Sequence, residues 1–193
     1  MLREHVTCRR SEVIFRYPGK GAQDREQVVG DPKVCALVRS LKRRRSGGER
    51  LLAYRSGRQW HDVTAADIND YLRELTGGEF SAKDFRTWHA TVLATVALAT
   101  SEHAPDTGSA RKRAVGRAVA EVAGYLGDTP AVARGSYIDP RVIERYQRGA
   151  TIARTLSDLG TQSEFGQLAT QGPVEKAVLR LLADENRRGS ARR

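Results

Sequence analysis

The apolar positions change their period along the chain. Near the N-terminus they fall in short runs of strand composition, His5-Val6-Thr7-Cys8 and Glu12-Val13-Ile14-Phe15-Arg16-Tyr17, with Arg9-Arg10-Ser11 to turn between them. Pro18-Gly19 breaks the second run, and Gln27-Val28-Val29 supplies a third. The pattern predicts a small antiparallel sheet. After Asp31-Pro32 the period becomes helical, with the proline at a first-turn position. Val34, Leu37, Val38 and Leu41 give that helix one apolar face, and it ends in Lys42-Arg43-Arg44-Arg45 before Gly47-Gly48. Leu51-Leu52-Ala53-Tyr54 reads as a short strand.

From Thr64 onward the chain reads as helical. Thr64-Ala65-Ala66-Asp67 resembles a capping box, with Asp in place of the preferred Glu or Gln. The helix it opens runs to about Leu75, with Ile68, Tyr71, Leu72 and Leu75 expected inward, and Gly77-Gly78 ends it. The longest helix is expected from Ala82 to Ser101, where Phe85, Trp88, Val92, Val96 and Ala99 keep 3–4 spacing and form the core stripe. A loop through Ala104-Pro105-Asp106-Thr107-Gly108 leads to a helix from Ser109 to Leu126 that buries Val115, Val119, Val122 and Ala123. Gly127-Asp128 turns into a short helix carrying Tyr137, and Asp139-Pro140 restarts helix with Val142, Ile143 and Tyr146 packed. Helical pieces follow Gly149, the last from Val174 to Asn186. No internal repeat is visible. The expected fold class is α+β and mostly helical: a small antiparallel N-terminal sheet, then a helical body.

Composition narrows the partners. Lys plus Arg number 33 against 23 acids in 193 residues, a formal charge of +10. That surplus points to a polyanion, nucleic acid before membrane. No apolar run approaches the roughly 18–20 residues of a membrane span, and Met1 to Arg10 lacks the apolar core of a signal peptide. Cys8 and Cys35 are the only cysteines and lack metal-ligand spacing, so they read as thiols in a reducing cytoplasm. Gly19-Lys20 is not a P-loop, because no glycine stands six positions before Lys20 and Gly21 replaces the Ser or Thr. The sequence shows neither zinc spacing nor the Asp/Glu cluster typical of two-metal phosphoryl chemistry. No cofactor and no metal are expected.

Three segments carry candidate chemistry. They are Phe15-Arg16-Tyr17-Pro18-Gly19-Lys20-Gly21, Lys83-Asp84-Phe85-Arg86-Thr87-Trp88-His89, and Gly127-Asp128-Thr129-Pro130-Ala131-Val132-Ala133-Arg134-Gly135-Ser136-Tyr137-Ile138. In that order, from about Leu2 to about Tyr146, they resemble the catalytic domain of type IB DNA topoisomerases of the poxvirus and bacterial kind. The fold implied is the catalytic core shared with tyrosine recombinases. Residues 1–149 would form the catalytic domain, 150–186 a helical extension, and 187–193 a disordered basic tail.

A phosphodiester without metal needs a nucleophile, cationic donors for its nonbridging oxygens, and an acid for the leaving oxygen. The resemblance implies that Tyr137 attacks to form a 3′-phosphotyrosyl link. It implies that Arg86 hydrogen-bonds the phosphate, where a guanidinium fork fits two oxygens. It also implies that Lys20 protonates the leaving 5′ oxygen. The covalent link conserves the energy of the broken bond, so relaxation of supercoiled DNA would need no ATP. Lys83, His89 and Arg134 are further candidates for DNA contact. Lys83 and His89 lie on the Arg86 face of their helix, although His89 also fits a packing or hydrogen-bonding role.

Two departures stand out. The resemblance puts His or Asn, a donor to a nonbridging oxygen, where this chain has Asp128. An ionised Asp only accepts, so it must be protonated, turned away or replaced by another donor. The resemblance also implies an arginine before the first strand and an N-terminal DNA clamp. No counterpart is found, since Arg3, Arg9 and Arg10 come too late in the pattern, and an N-terminally truncated domain is expected. The leading expectation is a monomeric type I topoisomerase on double-stranded DNA, away from membranes, in a bacterial cytoplasm at the nucleoid. One alternative is a catalytically impaired DNA-binding fragment of the same fold, favoured by both departures. The other is a tyrosine recombinase, which normally has His where Lys83 stands and a shorter Arg-to-Tyr spacing.

Overall fold

A computed structural model describes residues 1–19, 24–101, 107–160 and 172–183. These fall into two compact units, Met1–Ser81 and Ala82–Arg193.

In the first unit a 3-10 turn, Arg3–His5, leads into β1 (Val6–Cys8), β2 (Val13–Pro18) and β3 (Asp24–Val29). The three strands form one antiparallel sheet in that order, with Val6 opposite Phe15 and Val13 opposite Val29. Helix α1 (Pro32–Arg43) starts where Asp31 accepts a hydrogen bond from the Val34 N–H and Pro32 fills the first turn. It buries Cys35, Val38 and Leu41 in a core with Val6, Val13 and Leu51. Val34 and Leu37, expected on the same face, are exposed.

The run read as one strand is half of a hairpin, β4 (Ala53–Ser56) and β5 (Gln59–Asp62), turned at Gly57 with φ 58°. Buried Arg44 organises this end of the unit, donating to the carbonyls of Leu41, Gly47, Arg50 and Leu51, with its guanidinium 5.5 Å from the Trp60 ring. Arg3 donates to the carbonyls of Arg44 and Gly48. Helix α2 (Ala65–Thr76) has the expected Thr64/Asp67 capping box and ends on left-handed Gly77. Its inward face does not materialise. None of its residues is buried, and Tyr71 and Leu75 are 62% and 67% exposed.

The second unit is helical: α3 (Ala82–Thr100), α4 (Gly108–Leu126), α5 (Pro130–Ser136), α6 (Pro140–Gln147), α7 (Ala153–Gly160) and α8 (Pro173–Ala183). Small side chains, Ala90 and Ala94 on α3 and Ala114 and Ala118 on α4, let these two packed helices approach closely in the core. Val142, Ile143 and Tyr146 of α6 join them, as do Val174, Ala177, Val178 and Leu182 of α8. Full burial of a valine such as Val142 or Val178 stabilises by about 1.5–3 kcal/mol.

The α3 stripe differs from the expected one. Val92 and Ala99 are buried and Trp88 and Val96 partly so, but Phe85 is 50% exposed. The centre of the stripe is instead Ala90, Thr91, Ala94, Thr95 and Leu98. No described helix is long and apolar enough to cross a membrane. The stretch 187–193, expected as a basic tail, lies outside the described residues.

Candidate active site

Two turns and one helix bring distant residues together. Helix α4 ends because Gly127 takes φ 74°, a left-handed cap suited to glycine. Its N–H bonds the Ala123 and Gly124 carbonyls, and the Asp128 N–H follows to Ala123 O at 2.9 Å. The turn sets the Leu126 carbonyl and the Asp128 carboxylate side by side. Thr129 then caps α5 by accepting from the Val132 N–H, with Pro130 in the first turn. Helix α5 lasts about two turns and delivers Tyr137 at its C-cap, where the Tyr137 N–H meets Ala133 O at 3.1 Å. The next residue, Ile138, is buried and anchors the segment.

Arg86 reaches this place from the second turn of α3. Its Nη2 donates to Leu126 O at 2.7 Å and to Asp128 Oδ2 at 2.5 Å. Its Nε is buried with no hydrogen-bond partner among the described residues. The guanidinium carbon lies 4.9 Å from the centre of the half-buried Tyr137 ring. Such a cation–π contact contributes about 0.5–2 kcal/mol. The side chains of Arg86 and Asp128 retain 40% and 20% of their exposure, so the cluster is open on one side. The structure therefore joins Arg86, Asp128 and Tyr137. Asp128 is neither turned away nor isolated, because its carboxylate accepts from Arg86.

Thr91, a residue the sequence did not single out, ties the tyrosine segment to α3. It is 2% exposed. Its Oγ1 accepts from the Asp139 N–H at 3.1 Å, lies 3.3 Å from Tyr137 O, and is 2.9 Å from Thr87 O. A threonine inside an alanine-rich helical stripe is the only signal the sequence offered. Beside it Asp139 caps α6 and pairs with Arg141 at 2.7 Å. The hydrogen bond from the Arg141 side chain holds the Asp139 carboxyl below its usual range. Burial opposes this, and the Arg141 N–H and charge add to it.

The other candidates are dispersed. Lys83 is exposed on the first turn of α3, and Arg134 is exposed in the last turn of α5. His89 lies against Tyr125, with Nε2 and Oη 3.2 Å apart and ring centres 5.2 Å apart, so its ring serves a hydrogen bond within the unit. Lys20 falls outside the described residues, between Pro18 and Asp24, which oppose each other in the β2–β3 register. Of the early arginines, Arg9 pairs with Glu12 at 3.1 Å. Among the described residues no group of three or more His, Cys, Asp or Glu side chains is placed to hold a metal ion.

A family model described as the catalytic core of eukaryotic DNA topoisomerase I matches residues 1–160. That span includes Lys20, Arg86, Asp128 and Tyr137. The chain is also similar to DNA topoisomerase 1B of Acanthamoeba polyphaga mimivirus, 27% identical over 152 residues that make up 75% of this chain and 45% of that protein. The chain thus spans less than half the length of this curated relative.

Proposed function

Because the chain belongs to the DNA topoisomerase I catalytic-core family, we propose that it is the strand-cleaving part of a type IB DNA topoisomerase. Tyr137 Oη attacks the phosphorus and gives up its proton to solvent water. The bond from phosphorus to the 5′ oxygen breaks, and Lys20 protonates the leaving oxygen. The enzyme is left on the 3′ phosphate, one strand rotates, and the 5′ hydroxyl attacks back to release the tyrosine. One diester is exchanged for another, so neither ATP nor metal is consumed. Arg86 stabilises the charge that builds on the nonbridging oxygens, and one such donor is typically worth 10²–10³ in rate.

The observation that carries this reading is the meeting of Arg86 and Tyr137. They are 51 residues apart in sequence, yet the guanidinium stands 4.9 Å from the phenol ring. Exposed Lys83 and Arg134 are suited to flanking phosphates, because long cationic side chains reach the DNA backbone without reading its sequence. We propose a monomer acting on duplex DNA in a bacterial cytoplasm; the +10 charge suits the polyanionic partner, and Cys8 and Cys35 form no disulfide with each other.

Relaxation of supercoiled plasmid in EDTA and without ATP tests the activity. Loss of supercoils that requires Tyr137 and Arg86 supports the proposal, and relaxation that requires neither removes it. A second reading, a DNA-binding protein of the same fold with impaired cleavage, is favoured by the hold of Asp128 on Arg86. It predicts duplex binding with no relaxation.

A further inference from the structure

We propose that Asp128 is a latch on Arg86: it occupies the anion-binding edge of the guanidinium, and a phosphate takes the site only by displacing the carboxylate. This rests on the reading of Arg86 as the phosphate-binding cation. The geometry is specific. A guanidinium has two bidentate edges, one formed by Nε with Nη2 and one by Nη1 with Nη2. Both need Nη2. Here the two Nη2 hydrogens are taken, one by Leu126 O at 2.7 Å and one by Asp128 Oδ2 at 2.5 Å. The partner on the first edge, Nε–H, is buried and finds no acceptor among the described residues. Buried donors are ordinarily satisfied, so this one marks an edge whose Nη2 half is already in use.

Charge points the same way. An ionised Asp128 makes the pair with Arg86 neutral, whereas the guanidinium alone carries a full positive charge toward an anion. Carboxylate and phosphate oxygens are both acceptors, so they compete for one N–H rather than share it. The backbone acceptor Leu126 O leaves Arg86 oriented when Asp128 lets go. The latch therefore weakens the ground-state hold on phosphate without dismantling the site. A support would behave in the opposite way, because losing a residue that orients Arg86 weakens phosphate binding.

The test uses the full chain, inorganic phosphate as probe, and the Nε–H resonance of Arg86 in nitrogen-15 NMR, assigned by its loss in Arg86→Lys. Asp128→Asn keeps the shape of the side chain, and Asp128→Ala removes the acceptor outright. Thermal melts confirm that each is folded. Both variants are expected to bind phosphate at least about tenfold more tightly than the wild type, equivalent to about 1.4 kcal/mol at 25 °C. Unchanged or weaker binding in either variant overturns the latch. So does a resonance that phosphate never moves in any of the three proteins. Covalent attachment to a short duplex is measured alongside. If phosphate tightens as expected but no protein forms an adduct, the latch stands and the cleavage function proposed above falls.

Discussion

Replacing Thr91 with valine removes one hydroxyl and almost no volume. In the wild type that hydroxyl accepts from the Asp139 N–H at 3.1 Å, bonds Thr87 O at 2.9 Å and lies 3.3 Å from Tyr137 O. At 2% exposure, Thr91 gives water little chance to replace these bonds. Leaving a buried backbone donor unsatisfied costs about 1–3 kcal/mol, and the added methyl recovers about 0.8 kcal/mol. The net loss is about 0.2–2 kcal/mol. For a unit near 100 residues, each kcal/mol moves the melting temperature by roughly 4 °C, so the expected drop is roughly 1–8 °C by circular dichroism. Adduct formation should also slow, because the C-cap carrying Tyr137 loses its tie to α3. Thr91→Ser keeps the hydroxyl and should melt slightly low but cleave near the wild-type rate. A Thr91→Val protein as stable as wild type, or one no slower than Thr91→Ser, would refute the assignment of Thr91 as the residue that positions this segment.

Other consequences are as direct. Duplex binding should weaken steeply with salt, with log K against log[salt] falling at a slope of roughly −4 to −5 if about five phosphates are neutralised; a flat response in a mobility-shift titration would remove DNA from the account. Asp139 has a folded-state pKa depressed by Arg141, so its contribution to stability is fully present above the ordinary aspartate value of 3.8 and is lost as pH falls below it. Asp139→Asn should therefore lower stability at neutral pH and lessen the acid sensitivity of urea unfolding, and a parallel loss at pH 7 and at acid pH would contradict that. Gly127 has φ 74°, so Gly127→Ala should cost about 1–2 kcal/mol in the same unfolding assay.

Local chemistry was legible in the sequence. Asp31-Pro32, Thr64 with Asp67, and Asp139-Pro140 all start helices where a side-chain oxygen meets a backbone N–H within three residues. Such signals need no tertiary information. The second strand of the hairpin escaped because Gln59-Trp60-His61-Asp62 lacks apolar alternation, and its pairing with Ala53–Ser56 is set by the turn at Gly57. Periodicity also names a face without naming what covers it. Ile68, Tyr71 and Leu75 repeat as a buried stripe does, yet all three are exposed. Phe85 keeps the α3 spacing but lies near the helix start, where the alanine and threonine core has not begun. At the site, the order of Arg86, Asp128 and Tyr137 was readable as a resemblance. The grip of Asp128 on Arg86 was not, because it depends on where the α4 cap puts one carboxylate relative to an arginine 42 residues earlier.

The most direct measurement is covalent capture. A duplex carrying a 5′-labelled strand is incubated with the chain in EDTA and without ATP, then resolved on a denaturing gel. The wild type should shift labelled strand into a protein-linked band that protease collapses, and Tyr137→Phe should yield none of it while binding the same duplex in a native gel. A protein-linked band that survives Tyr137→Phe, or a wild type that binds the duplex and never forms the band, would contradict Tyr137 as the nucleophile.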